Sequence, residues 1–147
     1  MTIVTPTFLV FMMNAHDTAP SSLSTRSNPK HINLLIWNIQ GIGNSETLNI
    51  LREHIRQHRP HIVALVETRI SGARAQITSA KIGFRNCFRV EAQGFQGGIW
   101  VLWNEDEIEV EVLTSHAQFV TVELKQHGRL SWVLTCVYAN PQPQTRE

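Results

Sequence analysis

This chain lacks an excess of charge of either sign: 13 Lys and Arg against 12 Asp and Glu leave a formal net charge of +1. The strongly basic footprint that dominates nonspecific nucleic-acid binding is therefore excluded, and any affinity for DNA or RNA must come from local groups or a bound metal. Cysteine is scarce as well. Cys87 and Cys136 lie in neither a Cys-x-x-Cys redox motif nor a paired metal-ligand spacing. A reducing compartment is the simplest reading, and strand-like apolar surroundings make both thiols small buried hydrophobes before they make a disulfide. The apolar run Phe8-Leu9-Val10-Phe11-Met12-Met13 falls well short of the roughly 20 residues that span a bilayer. No Lys or Arg precedes it, as the n-region of a signal peptide requires. An unprocessed leader and an intracellular location, nucleus or cytoplasm, are expected, with no membrane partner; secretion is the alternative that Ala15 to Pro20 leaves open. The seven histidines carry no zinc signature: His54 and His58 share i,i+4 spacing but lack the Glu of a His-Glu-x-x-His motif. Both read as exposed helix residues.

A chain of 147 residues, 42% hydrophobic, supports one globular domain. Residues Asp17 to Lys30 are rich in Ser, Thr, Asn and Pro and nearly free of large apolar groups, so they cannot repay the entropy of ordering. Residues 1–30 are expected to be a disordered leader and 31–147 the folded part. Ile32 to Ile39 is a nearly continuous apolar run, the pattern of a strand covered on both faces. Gly41-Ile42-Gly43 breaks it. Asn44 or Ser45 then caps a helix across Ser45 to Gln57, with Glu46 placed favourably in its first turn and Leu48, Leu51 and Ile55 on one face. Pro60 ends that helix. Ile62 to Val66 is a second buried strand, and the strand, helix, strand unit suits a parallel crossover that puts Asn38 and Glu67 at equivalent C-terminal ends.

Ala73 to Lys81 reads as a short helix ending at Gly83. From there the pattern changes. Cys87 to Val90, Gly98 to Trp103, Ile108 to Leu113, Phe119 to Leu124 and Leu130 to Tyr138 are strand candidates separated by short turns. Ile108, Val110 and Val112 alternate with Glu107, Glu109 and Glu111, giving one apolar and one solvated face. The expected class is α/β with an α+β-like mixed sheet: an antiparallel meander joined to one mixed sheet, helices on one face. No internal repeat is visible.

Trp37-Asn38-Ile39-Gln40-Gly41, Val66-Glu67-Thr68, Gly97-Gly98-Ile99-Trp100-Val101-Leu102-Trp103 and Val137-Tyr138-Ala139-Asn140-Pro141 occur in this order. Together they resemble the first half of an endonuclease/exonuclease/phosphatase domain, the deoxyribonuclease-I-like superfamily, over about Asn33 to Arg146. The chain resembles in particular the N-terminal nuclease segment of plant LINE-type retrotransposon polyproteins, or host open reading frames derived from them. This resemblance implies the first half of a four-layer αββα sandwich and a Mg²⁺- or Mn²⁺-dependent hydrolase, with nucleic acid as a partner and the C-terminal half of the same polyprotein as another.

Asn38 is an uncharged donor and acceptor able to hold a phosphate oxygen or orient a water. The resemblance places it in the active site; the competing reading is an amide that satisfies the turn at Gly41. Glu67 follows a fully apolar run, where a carboxylate is costly without a cation or donor. The resemblance makes it a divalent-metal ligand, and one hard oxygen ligand supplemented by waters and phosphate suits Mg²⁺; the alternative is a solvated strand end. Gln40 stands where several family members carry an acidic residue near the metal, so it is a second candidate ligand without negative charge. Tyr138 matches a tyrosine that approaches the phosphate, or else anchors a strand end by packing. Arg146 matches an arginine that follows this strand and is a candidate phosphate contact. Gly97-Gly98 needs no phosphate, since close packing or positive φ accounts for it. Trp100 and Trp103 could stack on bases, but an apolar strand favours core packing for at least one.

The resemblance also implies a later Gly-Asp-x-Asn and a terminal Asp-His pair, and neither follows Tyr138. The expectation is a truncated phosphodiesterase domain, incomplete for catalysis and lacking the second sheet that should cover its apolar face. A noncatalytic remnant or interaction module, and a phosphatase of the same superfamily, are the alternatives.

Overall fold

The computed structural model describes residues 2–4, 8–14, 32–126 and 130–138. In chain order the elements are β1 (Thr2–Val4), β2 (Phe8–Asn14), β3 (Leu34–Asn38), α1 (Ser45–His58), β4 (Ile62–Val66), α2 (Gly72–Ile82), β5 (Asn86–Val90), β6 (Ile99–Trp103), β7 (Glu109–His116), β8 (Phe119–Gln126) and β9 (Leu130–Tyr138).

The apolar runs and the breakers between them set these boundaries. Asn44 caps α1, its side chain accepting from the Thr47 amide at 2.8 Å. At the other end Arg59, in the left-handed region, donates its amide to the Ile55 carbonyl just before Pro60. Gly83, φ 103, closes α2 in the same left-handed conformation that its lack of Cβ favours. Leu48 and Leu51 bury one face of α1 against the sheet.

The strands form two sheets. The first runs β1-β3-β4-β6-β5 and is mixed: β3 and β4 are parallel around α1, while β6 is antiparallel to both β4 and β5. The second is antiparallel throughout, in the order β2-β9-β8-β7. Two cores separate three layers. Leu35, Val63, Leu65, Trp100 and Leu102 face Leu48, Leu51, Ala75 and Ile82 of the helices. Leu34, Ile36, Ile62, Ala64, Ile99 and Val101 meet Val120, Val122, Leu124, Leu134 and Cys136 of the other sheet. The alternation of β3, β4 and β6 between these two clusters is the strand period of two.

The mixed α/β class and the helices on one face are as expected, but two expectations give way. The meander does not extend the mixed sheet; it forms a sheet of its own that covers the mixed sheet's second face, so that face is not left bare. The reason lies in β8 and β9, whose single apolar faces are best buried against another sheet. Within residues 1–30, β1 and β2 are strands, not leader. The apolar run at Phe8 finds a full backbone ladder along β9, from Phe8 opposite Tyr138 to Asn14 opposite Trp132. Residues 17–30, the core of the expected leader, lie outside the described residues.

Cys87 and Cys136 are free thiols, one against the helix-facing core and one between the sheets. Burial pushes them up to about 11 and about 12, which suppresses thiolate chemistry at neutral pH. Trp100 is wholly buried and Trp103 packs against the intersheet core. His54 is less exposed than expected: its ring meets Trp37 edge-on at 5.7 Å and lies parallel to that of His58 at 6.0 Å. Among the described residues no helix is long and apolar enough to cross a membrane.

Candidate functional site

The parallel register pairs Asn38 with Val66, so Asn38 ends β3 level with the residue that precedes Glu67. Both side chains thus leave the same edge of the mixed sheet, as the spacing of the two apolar runs requires. The loops beyond this edge are bound to one another. The Ile39 amide donates to the Val66 carbonyl, Gly41 to Glu67 at 2.8 Å, and Ile42 to Thr68. From the other side the Thr68 amide donates to Gly98 and that of Arg69 to Gly97 at 2.9 Å. Three loops from distant parts of the sequence therefore form one fixed rim.

That rim carries backbone strain. Gln40 (φ 49), Glu67 (φ 56) and Arg69 (φ 60) occupy the left-handed region although none is glycine, and among the described residues only Arg59 shares this trait. Each such residue costs roughly 1–3 kcal/mol and persists only where its surroundings impose it; such positions gather at functional sites. Gly98, φ 93, has a separate constraint: a Cβ there would overlap the Thr68 hydroxyl. Close approach and positive φ thus explain the second glycine of the Gly97-Gly98 pair.

The rim is polar and underbonded. Asn38 is only 8% exposed, and its Oδ1, like the Thr68 Oγ1, is buried without a hydrogen-bond partner among the protein's atoms. Buried polar atoms without a partner are uncommon, and a bound ion, water or substrate group is what such acceptors can serve. Arg69 donates to the Glu67 carboxylate at 2.9 Å and reaches the Gln40 carbonyl at 3.4 Å. Its side chain is 44% exposed and that of Glu67 15%, so the guanidinium retains donors facing solvent. Tyr138, ending β9 in the other sheet, closes the group. Burial, then the negative charge of Glu67, pushes its phenol above the usual tyrosine range, with Arg69 opposing.

Asn38, Glu67 and Tyr138 are thus brought to one edge. Gln40 shares it, but by its backbone; its side chain is exposed. Arg146 and Asn140 lie outside the described residues. Arg69 was not singled out from the sequence, although a cation two residues past the candidate ligand was the available signal. Among the described residues no three of His, Cys, Asp and Glu gather as a metal cluster, and Glu67 stands as a single carboxylate beside neutral oxygen donors.

The chain belongs to the endonuclease/exonuclease/phosphatase family, whose model matches residues 35–133. Among solved structures it is similar to the AP endonuclease LMAP from Leishmania major, with a TM-score of 0.49 and 14% identity, covering 63% of this chain and 35% of that one. It is also similar to a D. rerio TDP2 humanized by 14 mutations, with a TM-score of 0.44 and 16% identity, covering 67% of this chain and 43% of the other. The chain spans less than half the length of either. A search of curated proteins finds no match.

Proposed function

We propose that the edge formed by Asn38, Glu67, Arg69 and Tyr138 is one side of a divalent-metal-dependent phosphodiesterase site of the nuclease type. The observation that carries this reading is the buried, partnerless Oδ1 of Asn38 on the same edge as the Glu67 carboxylate. An all-oxygen donor set with one carboxylate fits a hard cation such as Mg²⁺ or Mn²⁺ that keeps most of its waters. Glu67 would hold the ion, with the Asn38 amide oxygen beside it and Gln40 as the further ligand candidate. When bound, such an ion neutralises charge on a phosphodiester oxygen. Tyr138 can donate its hydroxyl proton to a phosphate oxygen, and Arg69 can turn its exposed donors to the same group.

Cleavage needs a positioned water and a base as well. The Gly-Asp-x-Asn and Asp-His groups that the family resemblance implies for this task do not follow Tyr138. We infer that these residues form one side of a site of the retrotransposon-nuclease type. Calorimetric titration of Mg²⁺ and Mn²⁺ tests the site: weak binding, weakened further at least several-fold in Glu67→Gln, supports it. Tight binding that survives Glu67→Gln places the metal elsewhere.

A further inference from the structure

Phe95 is 85% exposed, an unusual setting for a phenyl ring. Among the described residues the other exposed large hydrophobics are Ile50, Ile77 and Leu113, all aliphatic. Phe95 differs from them in its support too. It sits at the tip of a tight turn in which the Gln93 amide donates to the Gln96 carbonyl at 2.9 Å and the Gln96 amide returns a bond to Gln93 at 3.2 Å. Gly94, φ 61, takes the first central position, where this kind of turn calls for glycine. The next residues are Gly97 and Gly98, whose carbonyls hold the Arg69 and Thr68 amides. A Cβ on Gly97 would touch the Tyr138 ring at 3.7 Å. Phe95 is therefore within two residues, at most about 7 Å of chain, of the rim that carries Glu67, Arg69 and Tyr138.

We infer that Phe95 is a stacking platform for an unpaired nucleobase of a strand whose phosphate lies at the Arg69 edge. An aromatic face held in water on a short pinned turn loses little conformational freedom when it binds, and every base offers a complementary π-face. The partly exposed guanidinium of Arg69, whose backbone is tied to Gly97 on the same rim, supplies the phosphate contact. An exposed aromatic ring and a cation on one rim fit a nucleotide unit of a chain; inorganic phosphate or a phosphorylated polyol leaves the ring without a partner. The inference rests on the phosphodiesterase reading of the same edge and narrows its substrate class to single-stranded or locally unpaired nucleic acid.

The test compares two fluorescein-labelled strands by anisotropy at low salt on the full chain: a short oligothymidylate, and the same backbone with its bases removed. The wild-type chain is expected to prefer the thymidylate strand by roughly 5- to 100-fold, the usual worth of one stacked base. Phe95→Ala should lose that preference while still binding the baseless strand as the wild type does, and Phe95→Trp should restore it. Baseless-strand binding also reports that the alanine variant is folded. A preference undiminished in Phe95→Ala overturns the stacking role and leaves the edge's reading to the metal titration, which needs no strand. Binding of neither strand by the wild type overturns the substrate class assigned here.

Discussion

The phenol of Tyr138, at the end of β9 in one sheet, lies close enough to Glu67, one residue past the end of β4 in the other, to feel the charge of its carboxylate. This proximity spans the two sheets at the candidate site and makes Tyr138 a reporter of the charge on Glu67. The chain contains a single tyrosine, so an ultraviolet absorbance titration follows this phenol alone. It should titrate above the ordinary value of about 10, because burial and the charge of Glu67 both favour the neutral form. Glu67→Gln should bring it down, since the charge goes while the burial stays. A phenol pKa raised by folding contributes stability that is whole below the unfolded value and is lost as pH rises through the folded one. Stability should therefore fall on the alkaline side of about pH 10. A titration indifferent to Glu67→Gln would sever the link.

Gly98 tests how tightly the rim is built. Its φ of 93 disfavours any side chain, and a Cβ would overlap the hydroxyl of the buried Thr68. Gly98→Ala should cost about 2 kcal/mol or more in urea unfolding. Combining it with Thr68→Ala should recover only the steric share, leaving the backbone strain. An unchanged unfolding midpoint in the single variant would contradict the packing described.

Strain at Glu67 can be isolated by comparing two variants. Glu67→Ala and Glu67→Gly both lose the Arg69 ion pair, so their difference reports the backbone at φ 56. The glycine variant should be more stable by about 1 kcal/mol, the left-handed penalty of alanine less the greater freedom of an unfolded glycine. Equal stability, or a more stable alanine variant, would mean that the position is unstrained.

The local elements were legible because each follows from a short pattern. Ile62 to Val66 was bounded by Pro60 and by the first charged residue after it, Glu67, and β4 has those limits. Placing Asn38 and Glu67 on one edge needed only two apolar runs with a helix between them. The second sheet was harder to read, since β2 meets β9 across more than a hundred residues of sequence and nothing local marks that pairing. The left-handed conformations of Gln40, Glu67 and Arg69 were invisible for a related reason. Glycine advertises positive φ; a charged residue forced into it by neighbouring loops does not. Arg69 escaped notice because its ion pair with Glu67 depends on that backbone.

Residues 1–147 should leave abasic, nicked and plain duplex DNA intact above background in Mg²⁺ or Mn²⁺, because among the described residues no three of His, Cys, Asp and Glu gather to supply a metal cluster and a base together. A near-neutral net charge adds little attraction for the substrate. Turnover that Glu67→Ala abolishes would contradict this expectation, whereas turnover untouched by that substitution marks a contaminating nuclease.

The central claim, that a divalent cation belongs at the edge shared by Asn38 and Glu67, is tested most directly by amide NMR with substoichiometric Mn²⁺. Paramagnetic broadening should centre on residues 38–41, 67–69, 97–98 and 138, which the loop hydrogen bonds and Tyr138 bring together, and should fade in Glu67→Gln. Broadening centred instead on His54 and His58 of α1, or unchanged in Glu67→Gln, would contradict the account.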